Sequence, residues 1–383
     1  MRIETLLPLG KLDPGLRAAE KPLDIAAVAA DARLVEDLGF DGVAVEEAKE
    51  DPYQVMALAA ASTSRIRLTT AVAMAFPRSP TTTAMSAWTL AKLSKGRFVL
   101  GLGSQVRGHI VRRYGLAFHP PGPWMRDYVL AVRAVWRCWQ DRVPLDHQGT
   151  HYKLSLMVPL FDPGPIEFPD IPIHLAAVNP VMCRVAGEVA DGLRPHPVCT
   201  PRYIREVMLP AAAVGAERAG RDPKKLAIAM KPLVCTAPDK ATLETRLKDV
   251  RARVAFYCST PAYRATFELH GLGALADEMA VLSKAQRWEE MPARITDEVL
   301  HTYATVGTYD EIGGKLVERY GGIVSDIEFS IPCASAAEQA TMRNLIRQLR
   351  TEVQVRAAPE AEPAPQTPPE GHPPDRPFFG SRK

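Results

Sequence analysis

The fold is decided by residues Ile66–Gly115, which read IRLTTAVAMAFPRSPTTTAMSAWTLAKLSKGRFVLGLGSQVRGHIVRRYG. Ile66–Met74 is rich in β-branched and apolar residues, Pro80–Ser94 has apolar residues at helical spacing, and Arg97–Leu102 carries no charge after its first residue. This order predicts a strand, a helix and a second strand. Strands that are apolar along most of their length are typical of a parallel sheet covered by helices on both faces. The stretch therefore predicts an α/β protein.

The second of these strands ends in a glycine-containing turn, Gly101–Gln105, with the sequence GLGSQ. Glycine lets backbone N–H groups approach a ligand closely, so we predict a cofactor-binding loop at this strand end. An ordinary turn is the alternative, because Gly-x-Gly occurs in many turns. The stretch contains neither the Gly-x-Gly-x-x-Gly fingerprint of dinucleotide-binding folds nor the Gly-Lys-Ser/Thr of a P-loop.

Composition narrows the functional class. With 383 residues, of which 46% are hydrophobic, the chain is long enough to bury a large core. A net charge of +3, without a basic stripe interleaved with aromatic residues, argues against nucleic acid as a partner. The six cysteines are scattered singly, which argues against a zinc site or a disulfide framework. Because the sequence also lacks a leader and a run of membrane-spanning length, we expect a soluble cytoplasmic protein that acts on a small molecule, without a metal and away from membranes.

Outward from the central stretch, segments with strand character alternate with helical segments. Strands are predicted at Ile3–Pro8, Gly42–Val45, Ile66–Met74, Arg97–Leu102, Ile171–Val178, Gly192–Val198, Leu226–Val234 and Ile323–Ile331. Several helices begin with a capping residue followed by proline, as at Asp51-Pro52, Asn179-Pro180 and Thr200-Pro201. Eight β/α units predict a (β/α)₈ TIM barrel with its active site on the loops after the strands. A doubly wound open sheet is the alternative.

Two further segments complete the predicted domain organisation. Pro238–Thr308 looks mainly helical and is far longer than one crossover requires, which predicts an insert that serves as a lid or a subunit contact. From Arg356 onward, RAAPEAEPAPQTPPEGHPPDRPFFGSRK is rich in proline and poor in aliphatic side chains, which predicts disorder. We therefore expect one barrel domain over residues 1–355, with a helical insert at 238–308, and a disordered tail at 356–383.

With its strands placed, the chain resembles the luciferase-like monooxygenase superfamily, most closely the oxidoreductases that depend on the deazaflavin coenzyme F420. The resemblance covers residues 1 to about 350 and rests on blocks that occur in the family's order. They are LGFDGVAVEEAKEDPY at the second strand, IRLTTAVAMAFPRSP at the third, LAKLSKGRFVLGLGSQVRGH at the fourth, PWMRDYVLAVRAVW in the following helix, HLAAVNPVMCRVAGEVADGLRPHPVCTPRYI across the fifth and sixth, and VGTYDEIGGKLVERYGG before the eighth.

This resemblance implies a luciferase-like barrel that binds F420, or alternatively FMN, at the carboxyl ends of its strands. It also implies a non-proline cis peptide bond at Ala71–Val72, with an ordinary trans strand as the alternative. The implied cofactor-contacting residues are Thr70, Ala71, Val72, Gly101, Gly103, Ser104, Gln105, Arg107, Ala176, Ala177, Val178 and Asn179. Arg107, Arg112 and Arg113 would place positive charge near the acidic tail of F420, unless they form only a solvated basic face.

The resemblance also suggests two residues for proton transfer. Glu46 and Glu47 end the second strand, where relatives place an acidic residue or a histidine, and alternation lets only one of them face the barrel mouth. The alignment of VEEAKEDPY favours Glu47, with a capping or exposed carboxylate as the alternative. His196, after the sixth strand, is the second candidate, although a structural histidine is equally consistent with the sequence. Val106 stands where the sugar-phosphate dehydrogenases of the class have a glutamate, which argues against their substrate.

Three functions follow from these observations. The first is F420-dependent hydride transfer to or from a small hydrophobic carbonyl, alcohol or activated alkene, carried out by a homodimer. The second is a luciferase-like monooxygenase that uses reduced FMN. The third is a protein that binds F420 or a flavin without turnover.

Overall fold

Eight parallel strands form a closed barrel in the computed structural model, which describes residues 1–11 and 22–357. In chain order the strands are Arg2–Leu6, Gly42–Val45, Arg67–Thr70 (continued by Ala73–Met74), Phe98–Gly103, Ile173–Ala177, Gly192–Pro195, Ala227–Met230 and Asp326–Glu328. Each strand pairs in parallel with the next, and the eighth pairs with the first. The predicted (β/α)₈ barrel is therefore confirmed, and the open-sheet alternative is wrong.

Helices cover the outside of the barrel. Those that connect or follow the strands are Val28–Leu38, Pro52–Ser62, Pro80–Ser94, the short helix Arg107–Arg112, Pro121–Asp141, Pro180–Val189, the helical turn Pro201–Tyr203, Leu209–Arg218, Tyr309–Tyr320 and Ala336–Ala357. Two of the predicted caps form as expected, since the Asp51 and Thr200 side chains accept hydrogen bonds from the first turns of their helices. Asn179 does not cap its helix, because its amide instead donates a hydrogen bond to the Ala262 carbonyl at 3.1 Å.

The main apolar core lies between the barrel and its helices. Along the eighth strand, Ile327 belongs to this core, whereas Asp326 and Glu328 alternate with it and are nevertheless buried. Because strand side chains alternate between the two faces, these carboxyl groups point into the barrel. The same inner face carries Glu4, Arg67, His174 and Arg194. The strands are thus covered on both faces, as expected, but the inner covering is largely charged.

The charges inside the barrel are paired across it, because burying an unpaired charge is costly. Asp326 accepts hydrogen bonds from Arg2 at 2.6 Å and from Arg67 at 2.7 Å, and Arg194 donates to Glu4 at 2.5 Å. Burial alone would raise the pKa of Asp326, but the hydrogen bond from Arg2 and the charge of Arg67 outweigh it and lower the pKa to about 2. Asp326 therefore stays ionised at neutral pH, and its pairs with Arg2 and Arg67 lie at the end of the barrel opposite the carboxyl ends of the strands.

The third strand is interrupted by a cis peptide bond between Ala71 and Val72, as predicted. Just before it, the Thr70 hydroxyl donates to the carbonyl of Gly101 at 2.8 Å and accepts from the Gly101 N–H at 2.9 Å. A Cβ atom at Gly101 would lie 1.8 Å from the Thr70 carbonyl oxygen. The third and fourth strands therefore approach each other so closely that only glycine fits at position 101.

The long segment between the seventh and eighth strands is bordered by a second, two-stranded sheet. Leu233–Ala237 and Ala304–Thr308 pair in parallel, although the sequence had assigned the first residues of this pair to the seventh barrel strand. Between them lie the helices Lys240–Cys258, Arg264–Glu268, Gly273–Lys284 and Asp297–Tyr303, which share a separate apolar cluster. We use the name "insert" for this segment, Leu233–Thr308. It lies beside the barrel mouth.

Smaller elements complete the described structure. His147–Gln148 and Lys153–Leu154 pair as a short antiparallel hairpin. All six cysteines are buried and unpaired.

Across residues 1–11 and 22–357, none of the helices combines the length and apolar character needed to cross a bilayer. The last helix continues through Arg356 to Ala357, and the rest of the tail predicted to be disordered lies outside the described residues.

Candidate functional site

A cavity of about 980 Å³ opens at the carboxyl ends of the barrel strands. Every barrel strand, or the loop that follows it, contributes at least one lining residue, and the insert adds Arg253, Tyr257, Ala262 and Tyr263. This volume lies at the upper end of the range for small-molecule sites, and this end of a (β/α)₈ barrel is where active sites are built. The cavity is therefore the candidate active site.

One side of the cavity is an apolar wall, which we define as Ala71, Val72, Gly103, Ala176 and Ala177. These residues come from the third, fourth and fifth strands. A Cβ atom at Gly103 would lie 2.5 Å from a methyl group of Val72, so this glycine lets the two strand ends lie side by side. The wall offers small side chains and backbone, and it carries no charge.

Polar groups surround the apolar wall. Ser104, Gln105 and Arg107 follow the fourth strand, and Asn179 follows the fifth, next to the apolar Val178. Gln105 has a left-handed backbone with φ of 56°, and its side-chain oxygen accepts the N–H of Val106. The exposed Arg107 guanidinium lies 5.4 Å from the centre of the Phe118 ring. This rim can supply neutral donors near the wall and positive charge farther out.

Most of the residues predicted to contact the cofactor meet at this cavity. Ten of the twelve line it, whereas Thr70 and Gly101 bond to each other beneath the wall and do not reach the cavity. Arg112 and Arg113 also lie outside the lining, and Arg113 donates instead to the Ala48 carbonyl at 3.3 Å. Of the three arginines considered for the acidic tail, only Arg107 borders the cavity.

The prediction that Glu47 faces the barrel mouth is wrong. Its carboxylate accepts the Met74 N–H and a guanidinium N–H of Arg78, both at 2.7 Å, and so fixes the segment that follows the third strand. Of these two residues, Glu46 is the one that lines the cavity. The reason is alternation: Val45 packs outward among the helices, so Glu46 follows the inward direction and Glu47 does not.

Glu46 belongs to a charged cluster on the other side of the cavity, which we define as Lys11, Glu46, Lys231 and Glu328. The Glu46 carboxylate accepts hydrogen bonds from Lys231 at 2.9 Å and from Lys11 at 3.1 Å. Burial alone would raise the pKa of Glu46, but the two ammonium groups outweigh it and lower the pKa to about 2. Glu46 is therefore ionised at neutral pH.

Glu328 is the carboxyl group of the cluster with the weakest pairing. It is 7% exposed, and the nearest cation is the Lys231 ammonium, 3.6 Å from its Oε1 atom. Within the described part of the chain, no donor lies within hydrogen-bond distance of this carboxyl. Burial raises the pKa of Glu328 to about 7; Lys231 opposes this effect, and the negative charges of Glu46 and Glu4 add to it. Glu328 can therefore gain or lose a proton near neutral pH.

His196 lies at the cavity as predicted, on the side of the insert. Its ring stacks on Tyr263 with 4.1 Å between ring centres and meets the edge of Tyr257 at 4.7 Å. Its Nδ1 atom accepts the Val198 N–H at 3.4 Å. His196 thus joins the sixth strand to the insert and presents an aromatic, polar surface to the cavity.

Sequence reasoning missed Lys11, Lys231 and Glu328. Glu328 stands at an inward position of the eighth strand, in DIEFS, and Lys231 directly follows the seventh strand, in AIAMK. In both places the neighbouring residues pack outward. A charged residue in the inward position of an otherwise apolar barrel strand was the available signal. Lys11 follows the first strand in a loop, and no pattern in the sequence marks it.

Comparison with known proteins identifies relatives along almost the whole described chain. The luciferase-like monooxygenase family model matches residues 3–326. An uncharacterized protein of Mycobacterium tuberculosis is 40% identical over 329 residues, covering 86% of this chain and 96% of the relative. Another protein of that organism, named as a candidate coenzyme F420-dependent oxidoreductase, is 32% identical over 332 residues, covering 81% of this chain and 91% of the relative.

Two solved structures share the fold. The coenzyme F420-dependent tetrahydromethanopterin reductase of Methanopyrus kandleri has a TM-score of 0.71 at 20% identity, covering 92% of this chain and 99% of its own. An EDTA monooxygenase of Chelativorans sp. BNC1 has a TM-score of 0.69 at 14% identity, covering 93% and 94%. At these identities the likeness concerns the fold alone.

Proposed function

Because the chain belongs to the luciferase-like monooxygenase family, we propose that it is an oxidoreductase that uses the deazaflavin coenzyme F420. The proposed reaction is hydride transfer between this cofactor and a small hydrophobic carbonyl compound, alcohol or activated alkene. The relative named as a candidate F420-dependent oxidoreductase supports the choice of cofactor.

The residues of the cavity fit such a cofactor. The apolar wall offers an uncharged surface to a planar ring, and Gly103 keeps that surface free of a projecting side chain. Ser104 and Gln105 would provide polar contacts beside the ring, and Arg107 would attract the acidic tail. The bound deazaflavin would supply or accept the hydride. The chain itself binds the cofactor, orients the substrate and moves the proton.

The observation that carries this proposal is the difference between opposite sides of the cavity. In the closed strand order, the third strand is four positions from the seventh, and the fourth is four positions from the eighth. Val72 and Gly103 of the apolar wall therefore lie across the mouth from Lys231 and Glu328. A substrate held between them would meet a ring on one side and proton-transfer groups on the other. His196 remains a second proposed proton-transfer residue, beside the insert.

A monooxygenase that uses reduced FMN is the second candidate. The EDTA monooxygenase that shares the fold supports it, and Ser104 and Arg107 would suit a single phosphate as well as a longer tail. An oxygen adduct, however, needs a pocket that excludes water, and the charged cluster makes one side of this cavity strongly polar. We therefore favour hydride transfer. Binding of F420 or a flavin without turnover is the third candidate.

Titration of the purified protein with F420 and with FMN, at low and high salt, tests the proposal. We expect tighter binding of F420, with an advantage that shrinks as salt rises, because exposed charges are screened over about 10 Å at 0.1 M ionic strength. Equal affinity, or preference for FMN at every salt concentration, would instead favour the monooxygenase. F420 binding without oxidation or reduction by any substrate of a wide panel would favour the third candidate.

A further inference from the structure

We propose that Glu328 donates a proton to, and accepts one from, the oxygen atom of the substrate, and that Lys231 and Glu46 control its charge. This assignment rests on the proposed function and narrows its substrate class. A carboxyl group that exchanges one proton with an oxygen fits a ketone or aldehyde and the corresponding alcohol. It does not fit an alkene that must be protonated at carbon.

The position of Glu328 supports this role. It lines the cavity from the eighth strand, across the mouth from Gly103 of the apolar wall. The other two carboxylates of this side have close cationic partners: Glu4 is bonded to Arg194, and Glu46 to Lys11 and Lys231. Among the described residues, the cation closest to Glu328 is the more distant Lys231, so its carboxyl is the one available to a bound substrate among these three.

The charges that face Glu328 come from four other parts of the barrel. Glu4 lies on the first strand, Glu46 follows the second, Arg194 lies on the sixth and Lys231 follows the seventh. Burial and the two carboxylates favour the neutral acid, whereas Arg194 and Lys231 favour the carboxylate. This balance keeps the group able to change charge at neutral pH, as proton transfer requires.

Glu328 would give up its proton when the substrate is reduced and take a proton back when the substrate is oxidised. In reduction, the carbonyl carbon receives a hydride, with its two electrons, from the reduced deazaflavin, and the π electrons of the C=O bond move to oxygen. That oxygen takes the proton of Glu328, which leaves an alcohol, the oxidised cofactor and a carboxylate facing Lys231. In oxidation the carboxylate removes the hydroxyl proton as the hydride leaves carbon.

The charge of Glu328 can be measured without a substrate. Infrared spectra of the cofactor-free protein across pH 5–9 should contain a protonated carboxyl band that titrates near pH 7 and is absent from Glu328→Gln. Lys231→Met should move this titration to higher pH, and Glu46→Gln should move it to lower pH, because they remove charges of opposite sign. A wild-type spectrum without this titration would overturn the assignment.

The pH dependence of stability gives a second measurement and shows whether the variant folds. Because the folded pKa of Glu328 is raised above its ordinary value of 4.5, the folded state retains the proton longer than the unfolded state as pH rises. The wild type should therefore lose stability relative to Glu328→Gln as pH increases from about 4.5 to 7. Parallel stability curves for the two proteins would contradict the raised pKa.

Turnover of reduced F420 with a panel of ketones and aldehydes tests the catalytic role. Glu328→Gln should lower the rate by about 10²–10⁴-fold and remove the ionisation near pH 7 from the rate profile, with F420 affinity unchanged. Glu318→Gln, at an exposed helical position, is the matched control. A Glu328→Gln enzyme with the wild-type rate and profile would overturn the proposal. So would a wild type that binds F420 but reduces no member of the panel. If F420 does not bind at all, the proposed function itself fails.

Discussion

The apolar wall and the charged cluster face each other across one cavity but are built in different ways. The wall depends on backbone approach, with glycines at positions 101 and 103 where strands three and four nearly touch. The cluster depends on long side chains, from Lys11 to Glu328, that meet only when the barrel closes. The comparison indicates that the apolar wall fixes the shape of the cavity, whereas the charged cluster fixes its charge.

This difference predicts how each side responds to change. Positions 101 and 103 cannot accept a Cβ atom, since it would collide with the Thr70 carbonyl oxygen or with the Val72 side chain. The cluster can accept a side chain of the same shape without its charge, as in Glu328→Gln, and should then lose function while keeping its fold. Three substitutions in and around the wall test the expected response of that side, in protein stability and in F420 affinity.

The largest effect is expected for Gly101→Ala beneath the wall. The new methyl group would lie 1.8 Å from the Thr70 carbonyl oxygen, so the backbone of one strand must move. We expect a loss of about 3 kcal/mol or more in the free energy of unfolding, measured in urea. Gly314→Ala is the control, because a Cβ at this helical position meets nothing within 4 Å. It should be neutral or stabilise by up to about 1 kcal/mol. Equal effects of the two substitutions would contradict close approach at the wall.

A smaller effect is expected for Val72→Asp, which puts a charge in the wall without changing its backbone. An aspartate facing an uncharged ring loses solvation without gaining a partner, so F420 should bind about tenfold more weakly or worse. Val111→Asp, at a residue of the neighbouring short helix that is 42% exposed, is the control and should bind normally. The measurement is a fluorescence titration with F420. Wild-type affinity for Val72→Asp would place the cofactor elsewhere in the cavity.

The smallest effect is expected for Arg107→Gln at the rim. Exposed ion pairs contribute about 1 kcal/mol or less, so F420 affinity should fall by no more than about fivefold, and the difference should disappear at high salt. Arg112→Gln is the control, since Arg112 belongs to the same short helix but does not line the cavity. If both variants lose affinity equally, the acidic tail extends along the whole helix and not along Arg107 alone.

The sequence predicted the scaffold and the wall better than the charged cluster. Strand limits, helix caps and the turn after the fourth strand depend on neighbouring residues, and local patterns report them directly. Ten of the twelve residues predicted to contact the cofactor accordingly line the cavity. The two exceptions, Thr70 and Gly101, support the wall from beneath, because alternation and the close contact of two strands turn them away from the mouth.

The charged cluster is non-local, so no single stretch of sequence reveals it. Lys231 and Glu46 are 185 positions apart in the chain and only 2.9 Å apart in space. Which of the adjacent residues Glu46 and Glu47 faces the cavity is decided locally, by the direction in which Val45 points at the end of the strand. Reading the outward valines of that strand together with its small inward residues, Gly42 and Ala44, would have selected Glu46.

The two-stranded sheet at the base of the insert has a consequence for how such proteins diversify. Leu233–Ala237 and Ala304–Thr308 pair in parallel over five positions, so the intervening segment starts and ends on the same short sheet, at its opposite ends. With both ends fixed to one sheet, doubling the length of the intervening segment adds only about 0.6 kcal/mol of closure entropy. Evolution can therefore lengthen, shorten or exchange the helices between these strands, which supply Tyr257 and Tyr263 to the cavity, while it leaves the inherited barrel intact.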